Sequence, residues 1–138
     1  MWAKKVTIET SATKEQIWNL YSDVENWNKW DNTIKYSKLY GEFKAGNKGI
    51  LKSSNGPKSN FELVLVSKFH KFTSRSSLPF TKIDFIHEIN EKNGKLFITH
   101  EIQIKGLLTF LFSKIIGEKL LKELPKTMQT LSKEATKN

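Results

Sequence analysis

His70, His87 and His100 are the side chains whose ordinary range lets them exchange protons near neutral pH, and cysteine is absent. Without thiols there is no cysteine nucleophile, no disulfide framework and no sulfur metal site. His87 and His100 flank Asn93-Gly94, the preferred two-residue turn of a type I′ hairpin. If Lys92 pairs with Lys95, counting outward sets Ile89 opposite Ile98, His87 opposite His100, Phe85 opposite Ile102 and Ile83 opposite Ile104. Alternation gives the same register. Ile83, Phe85, His87 and Ile89 share one face, matched by Leu96, Ile98, His100, Ile102 and Ile104. Asp84, Glu88, Asn90, Thr99, Glu101 and Gln103 take the other face. A one-residue slip would turn the apolar set to water; a two-residue slip with another turn would leave the histidines diagonal.

Directly opposed residues have Cβ atoms about 5 Å apart. On an apolar inward face, burial and mutual repulsion both oppose the imidazolium, so at least one ring is expected neutral at pH 7. Three roles fit the pair. It could be structural, hydrogen-bonded internally or to a buried water. It could be a polar patch in an apolar pocket, orienting a ligand carbonyl or hydroxyl. It could do acid–base or metal chemistry, but no HExxH or Cys/His spacing supplies further ligands, so neither metal nor cofactor is expected. His70, at a hairpin tip, reads as surface.

The positioning elements follow from patterning. Residues 2–9 alternate around Trp2, Val6 and Ile8, as a strand. Thr13-Lys14-Glu15-Gln16 fits a capping box, opening a helix with Ile17, Leu20, Tyr21 and Val24 on one side and an end near Asp23. Trp18 and Tyr21 read as core or cavity wall. A second short turn or helix over 25–30 puts Trp27 and Trp30 on one face, anchoring it over the end of a sheet. Further strands are expected over 33–40, 48–53, 61–67, 70–77, 82–91 and 95–105, punctuated by Gly41, Gly46, Gly49, Asn55-Gly56-Pro57 and Leu78-Pro79. Sequential, short-looped strands predict a mostly antiparallel sheet. On the fifth strand Phe72, Ser74 and Ser76 share a face, which sends Arg75 outward.

The C-terminal run 106–135 reads as one long helix. Leu120, Leu121, Leu124, Met128, Leu131 and Ala135 form a stripe about 100° wide. Residues 107–116 are apolar all round, so they are buried on every side, cover something or touch a partner, and are expected near a cavity mouth. Pro125 predicts a bend between Leu121 and Pro125.

The 138 residues are expected to form one domain, 1–138. The net charge of +9 raises a nucleic-acid reading, but of 23 basic residues only Arg75 is arginine and the lysines are dispersed. A solvated surface is expected, with no specific nucleic-acid partner. The apolar block is about half of the ~20 residues needed to cross a bilayer, which leaves at most weak contact with a membrane surface. The N-terminus has no signal-peptide pattern, and a cytoplasmic protein is expected.

Ile17-Trp18-Asn19-Leu20-Tyr21-Ser22-Asp23 followed by Trp27-Asn28-Lys29-Trp30-Asp31 resembles the opening of the polyketide cyclase/dehydrase-type proteins of the START-like (SRPBCC) superfamily. The Gly41…Gly46…Gly49 spacing, Ser77-Leu78-Pro79, His87-Glu88, His100-Glu101 and Leu124-Pro125…Leu131 are similar too, so the resemblance runs from about Lys4 to Ala135. It implies an α+β helix-grip fold. A curved seven-stranded antiparallel sheet wraps a long C-terminal helix, with two short helices after the first strand and an apolar cavity between. Members bind lipids, sterols, polyketides or other hydrophobic molecules, and some catalyse cyclisation or dehydration. No general catalytic signature is carried over.

The expected function is therefore binding of a lipid, quinone or polyketide-like molecule. The expected contacts are Phe72, Ser74, Ser76, Phe85, His87, Ile98, His100, Ile102, Leu120, Leu124 and Met128. One alternative is a cyclase or dehydratase using His87 and His100 as an acid–base pair. Another is a protein- or membrane-interaction module using 107–116. Ligand identity and oligomeric state stay open.

Overall fold

The computed structural model describes residues 1–137. Seven strands, β1 (Trp2–Thr10), β2 (Ile34–Tyr40), β3 (Lys48–Ser53), β4 (Lys58–Ser67), β5 (Lys71–Leu78), β6 (Thr81–Lys92) and β7 (Lys95–Gly106), form one sheet. Its order is β1-β7-β6-β5-β4-β3-β2, with every neighbouring pair antiparallel. β2 to β7 are successive hairpins, whereas β1 joins the far side of β7. The first two strands thus lie at opposite edges, and the chain between them must cross from one edge to the other. That crossing is α1 (Lys14–Ser22) and a 3₁₀ turn (Val24–Lys29). The capping box opens α1 as expected: the Gln16 N–H donates to Thr13 Oγ1 at 3.1 Å and the Thr13 N–H to Gln16 Oε1 at 2.9 Å. Register shifts at Ile34/Tyr36 and Leu63/Leu65 are bulges, which add twist where the sheet curves.

The hairpin β6–β7 has the register read from the turn. Asn93 (φ 55°) and Gly94 (φ 76°) both take the left-handed conformation of a type I′ turn, Lys92 faces Lys95, and His87 faces His100. Arg75 does point outward. Its Nε and Nη2 donate to the two carboxylate oxygens of the nearly buried Asp84 at 2.7 and 3.0 Å.

The C-terminal segment differs from a single helix beginning at Gly106. A short α2 (Thr109–Phe112) passes into a π-helical turn (Ser113–Gly117) and then α3 (Glu118–Thr136). The Trp2 indole lies against the backbone at Gly117, where a Cβ would stand 2.8 Å from the ring. α3 runs on through Pro125 without interruption, so the irregularity sits at 113–117 and not at the proline. The apolar block is also not buried all round. Leu107, Phe110, Leu111 and Ile115 are exposed, while Phe112 and Ile116 pack inward.

Buried side chains fall into two clusters. The larger joins Ile17, Trp18, Tyr21 and Trp27 to Leu63, Phe72, Ile98, Met128 and Leu131; the smaller holds Ile83, Ile102 and Ile104 beneath Phe112 and Ile116. Along α3 the inward stripe changes character. Met128, Leu131 and Ala135 are wholly buried, whereas Leu120, Leu121 and Leu124 are only partly so. The second half of α3 plugs the core, and the first half borders empty space.

Candidate functional site

That space is a cavity of about 260 Å³. Ser74 and Ser76 on β5, Ile83, Phe85 and His87 on β6, and His100 and Ile102 on β7 form its sheet wall, because alternation turns each of them to the concave side. Leu51 and Phe61 continue it across β3 and β4. Ile116, Leu120 and Leu124 close the helical side, and Trp27 and Trp30 come from the crossing segment. Small Ser74 and Ser76 stand where larger side chains would fill this volume.

The polar side chains divide into two groups. At the sheet, the His87 and His100 rings meet at 4.5 Å, inclined by 68°. Tyr21 reaches across from α1, its hydroxyl 2.8 Å from His100 Nε2. His87 stacks on its cross-strand neighbour Phe72 at 4.0 Å and 4° between planes, which fixes the ring. Its Nδ1 is buried without a hydrogen bond of normal geometry among the described residues, and so is Trp30 Nε1, whose indole approaches His100 at 6.1 Å. His87 is partly accessible, and its surface faces the cavity.

Burial dominates the electrostatics here. It pushes the His87 imidazolium down to about 3, only weakly opposed by the Phe72 and Phe85 backbones. Burial, and next the neighbouring His87, hold His100 well below the usual histidine range. Burial likewise raises the Tyr21 phenol, which stays protonated. All three are neutral at pH 7, so this cluster can offer hydrogen bonds but not charge.

The second group is acidic. Asp31 and Glu123 line the cavity, and Asp31 Oδ1 accepts from the Thr33 N–H at 3.0 Å and from its hydroxyl at 2.6 Å. Burial raises the Asp31 carboxyl; the Thr33 bonds oppose this, and the Glu123 charge adds to it.

Of the residues expected at the site, Ser74, Ser76, Phe85, His87, His100, Ile102, Leu120 and Leu124 line the cavity. Phe72, Ile98 and Met128 do not: all three are completely buried in the larger core cluster. Phe72 still acts on the site through its stack on His87. Patterning alone did not single out Asp31, Glu123 or the Tyr21 hydroxyl. For Tyr21 a signal existed, since a phenol on the buried side of a helix needs a partner. Trp27 and Trp30 both anchor and line: each is over nine-tenths buried and each contributes cavity wall. Among the described residues no cluster of three histidines, cysteines or carboxylates could hold a metal ion.

No family model matches the chain, and no curated protein matches it in sequence. Solved structures do match it in shape. Norcoclaurine synthase from Thalictrum flavum, in complex with dopamine and hydroxybenzaldehyde, superposes with a TM-score of 0.73 at 14% identity, over 99% of this chain and 87% of that one. Ginseng major latex-like protein 151 from Panax ginseng gives 0.73 at 15% identity, over 97% of each chain. A hypothetical protein from Helicobacter pylori gives 0.76 at 10% identity, over 96% of this chain and 86% of that one. At such identities the likeness is one of fold: the chain has a seven-stranded helix-grip fold like theirs.

Proposed function

We propose that the chain binds a hydrophobic small molecule in this cavity, as a polyketide cyclase/dehydrase-type member of the START-like superfamily. The observation that carries the reading is an apolar cavity lined by His87, His100 and Trp30, where His87 Nδ1 and Trp30 Nε1 are buried without a hydrogen bond of normal geometry among the described residues. Unpaired buried polar groups each cost about 1–3 kcal/mol, so they persist where something else satisfies them. Trp30 can only donate, and neutral His87 donates or accepts according to its tautomer. A ligand with a carbonyl or hydroxyl on an apolar body suits this arrangement, as in a quinone or polyketide-like compound. The volume of about 260 Å³ lies just below the usual ~300–1,000 Å³ of small-molecule sites. It favours a ring system or short chain over a full-length diacyl lipid. That norcoclaurine synthase was solved with dopamine and hydroxybenzaldehyde is in keeping with small ring compounds as ligands of this fold.

The pair is a weak candidate for acid–base work. Proton transfer is most effective when the group's range lies near the working pH, and His87 at about 3 is far below it. Native mass spectrometry of the purified protein, with extraction of bound organics, tests the binding reading. The expected result is an adduct or a captured apolar probe, weakened in His87→Leu and in Trp30→Phe. Absence of any adduct, with no uptake from a panel of quinones, aromatic ketones and fatty alcohols, would overturn it.

A further inference from the structure

One surface is unexplained by the cavity. Phe80, Leu107 and Phe110 are 78, 80 and 75% exposed, and Leu111 and Ile115 about half exposed. They are contiguous: the Leu107 N–H donates to the Phe80 carbonyl at 2.9 Å, and the other three follow along α2 and the π-helical turn. Phe80 carries a second cost. Its φ is 53°, the left-handed region that a bulky residue avoids and that glycine or asparagine would occupy without strain. A phenylalanine held in that conformation with its ring in water gains nothing within the chain, and such outliers mark functional positions.

The charged side chains nearest the patch are mostly lysines. Lys82 and Lys105 face each other across β6 and β7 beside the Phe80 turn, and Lys114 lies 4.3 Å over the Phe110 ring. Opposed like charges are unfavourable in a sheet, and of these two lysines only Lys105 lies near an anion, at 3.9 Å from the Asp84 that Arg75 also holds. Among the described residues Lys82 and Lys114 have no anionic partner, and residues 102–117 contain no acid. Exposed apolar side chains rimmed by lysines, Lys82 and Lys114 of them unanswered among the described residues, match the interfacial region of an anionic bilayer, where the rings enter the acyl boundary and the amines meet phosphates.

We propose that Phe80, Leu107, Phe110, Leu111 and Ile115 dock the protein on a membrane surface bearing anionic lipid, with Lys82, Lys105 and Lys114 on the headgroups. The next residues of the same segment, Ile116 and Leu120, are cavity wall, so docking brings the cavity's helical side to the bilayer.

Co-sedimentation of the full chain with vesicles tests this, using phosphatidylcholine alone and with about one third phosphatidylserine at 0.15 and 0.5 M salt. The expected result is binding to the anionic vesicles that falls at high salt. The double variant Phe80→Asn/Phe110→Ser should lose about tenfold in partitioning, and Lys82→Gln/Lys114→Gln should lose the preference for phosphatidylserine. Both aromatic positions are exposed, and asparagine relieves the strain at residue 80, so the variant keeps its fold by circular dichroism. No binding of the unmodified protein, or equal binding by the aromatic variant, would overturn the proposal. So would a dimer that the aromatic variant abolishes without any vesicle binding. Ligand retention in the cavity is read separately and does not decide the result.

Discussion

Acid should destabilise this protein through His87, and the size of the effect can be worked out. In an unfolded chain histidine titrates near 6.5. In the fold His87 is held to about 3 by burial, and His100 well below its usual range by burial and by His87 beside it. The folded state therefore binds fewer protons than the unfolded one below pH 6.5. Stability is complete above that value and is lost as pH falls toward the folded values. At pH 5 a group like His87, which protonates only on unfolding, costs roughly 2 kcal/mol, and His100 acts in the same direction. Even roughly 2 kcal/mol is a large part of the ~5–15 kcal/mol that holds a domain together.

Asp31 works with the opposite sign. Its carboxyl is raised in the fold, so the folded state takes up that proton first and gains as pH falls. The clean measurement is therefore a difference between two proteins that share Asp31. Urea unfolding at pH 7 and pH 5, in the unmodified chain and in His87→Leu, gives it. The stability lost between the two pH values should be smaller in His87→Leu by about 2 kcal/mol. At pH 7 the two should be close, because leucine removes an unpaired buried nitrogen while losing the stack on Phe72. Equal pH dependence in both proteins would show that His87 titrates in the fold as it does unfolded, and would refute the reasoning.

Three further outcomes follow from particular contacts. Tyr21→Phe removes the 2.8 Å bond to His100 Nε2 inside the core and should cost about 1–3 kcal/mol in urea unfolding without opening the fold. Ser76→Phe puts a ring into the cavity, so retention of any bound compound or probe should fall at least about tenfold while the melting temperature holds or rises. Arg75→Met leaves the Asp84 carboxylate, only 6% exposed, with Lys105 at 3.9 Å as its remaining cation and should cost about 2–3 kcal/mol; Arg75→Met/Asp84→Leu should recover most of it, as judged by the same unfolding curves.

Local rules carried the sheet a long way. Asn93-Gly94 admits few backbone conformations, so counting outward from it placed His87 against His100; the apolar alternation excluded a one-residue slip, and the structure has the register counted from the turn. The capping box did the same for the start of α1. What patterning lacked was the third dimension. The Tyr21–His100 bond joins residues 79 apart in the chain, and it exists only because α1 must cross the sheet from β1 at one edge to β2 at the other. Glu123 sits beside the inward stripe of α3, and a helical period cannot say that this flank faces empty volume and not protein.

The apolar block 107–116 was ambiguous for a different reason. When apolar residues point all round a helix the period carries little phase, so nothing local distinguishes Phe110, which faces water, from Phe112, which packs with Ile116 on the smaller core cluster. The phase is set from outside the block, by Trp2 lying against Gly117 and by the Leu107 N–H bonding to the Phe80 carbonyl. Those two anchors turn Phe112 and Ile116 inward and leave Phe110, Leu111 and Ile115 outside. Phe80 itself lies one residue past the break read at Leu78-Pro79, where a turn of this conformation would ordinarily carry glycine or asparagine. Its exposed ring cannot be accounted for by turn formation, which the smaller residues serve better, and so its reason has to lie beyond the chain's own packing.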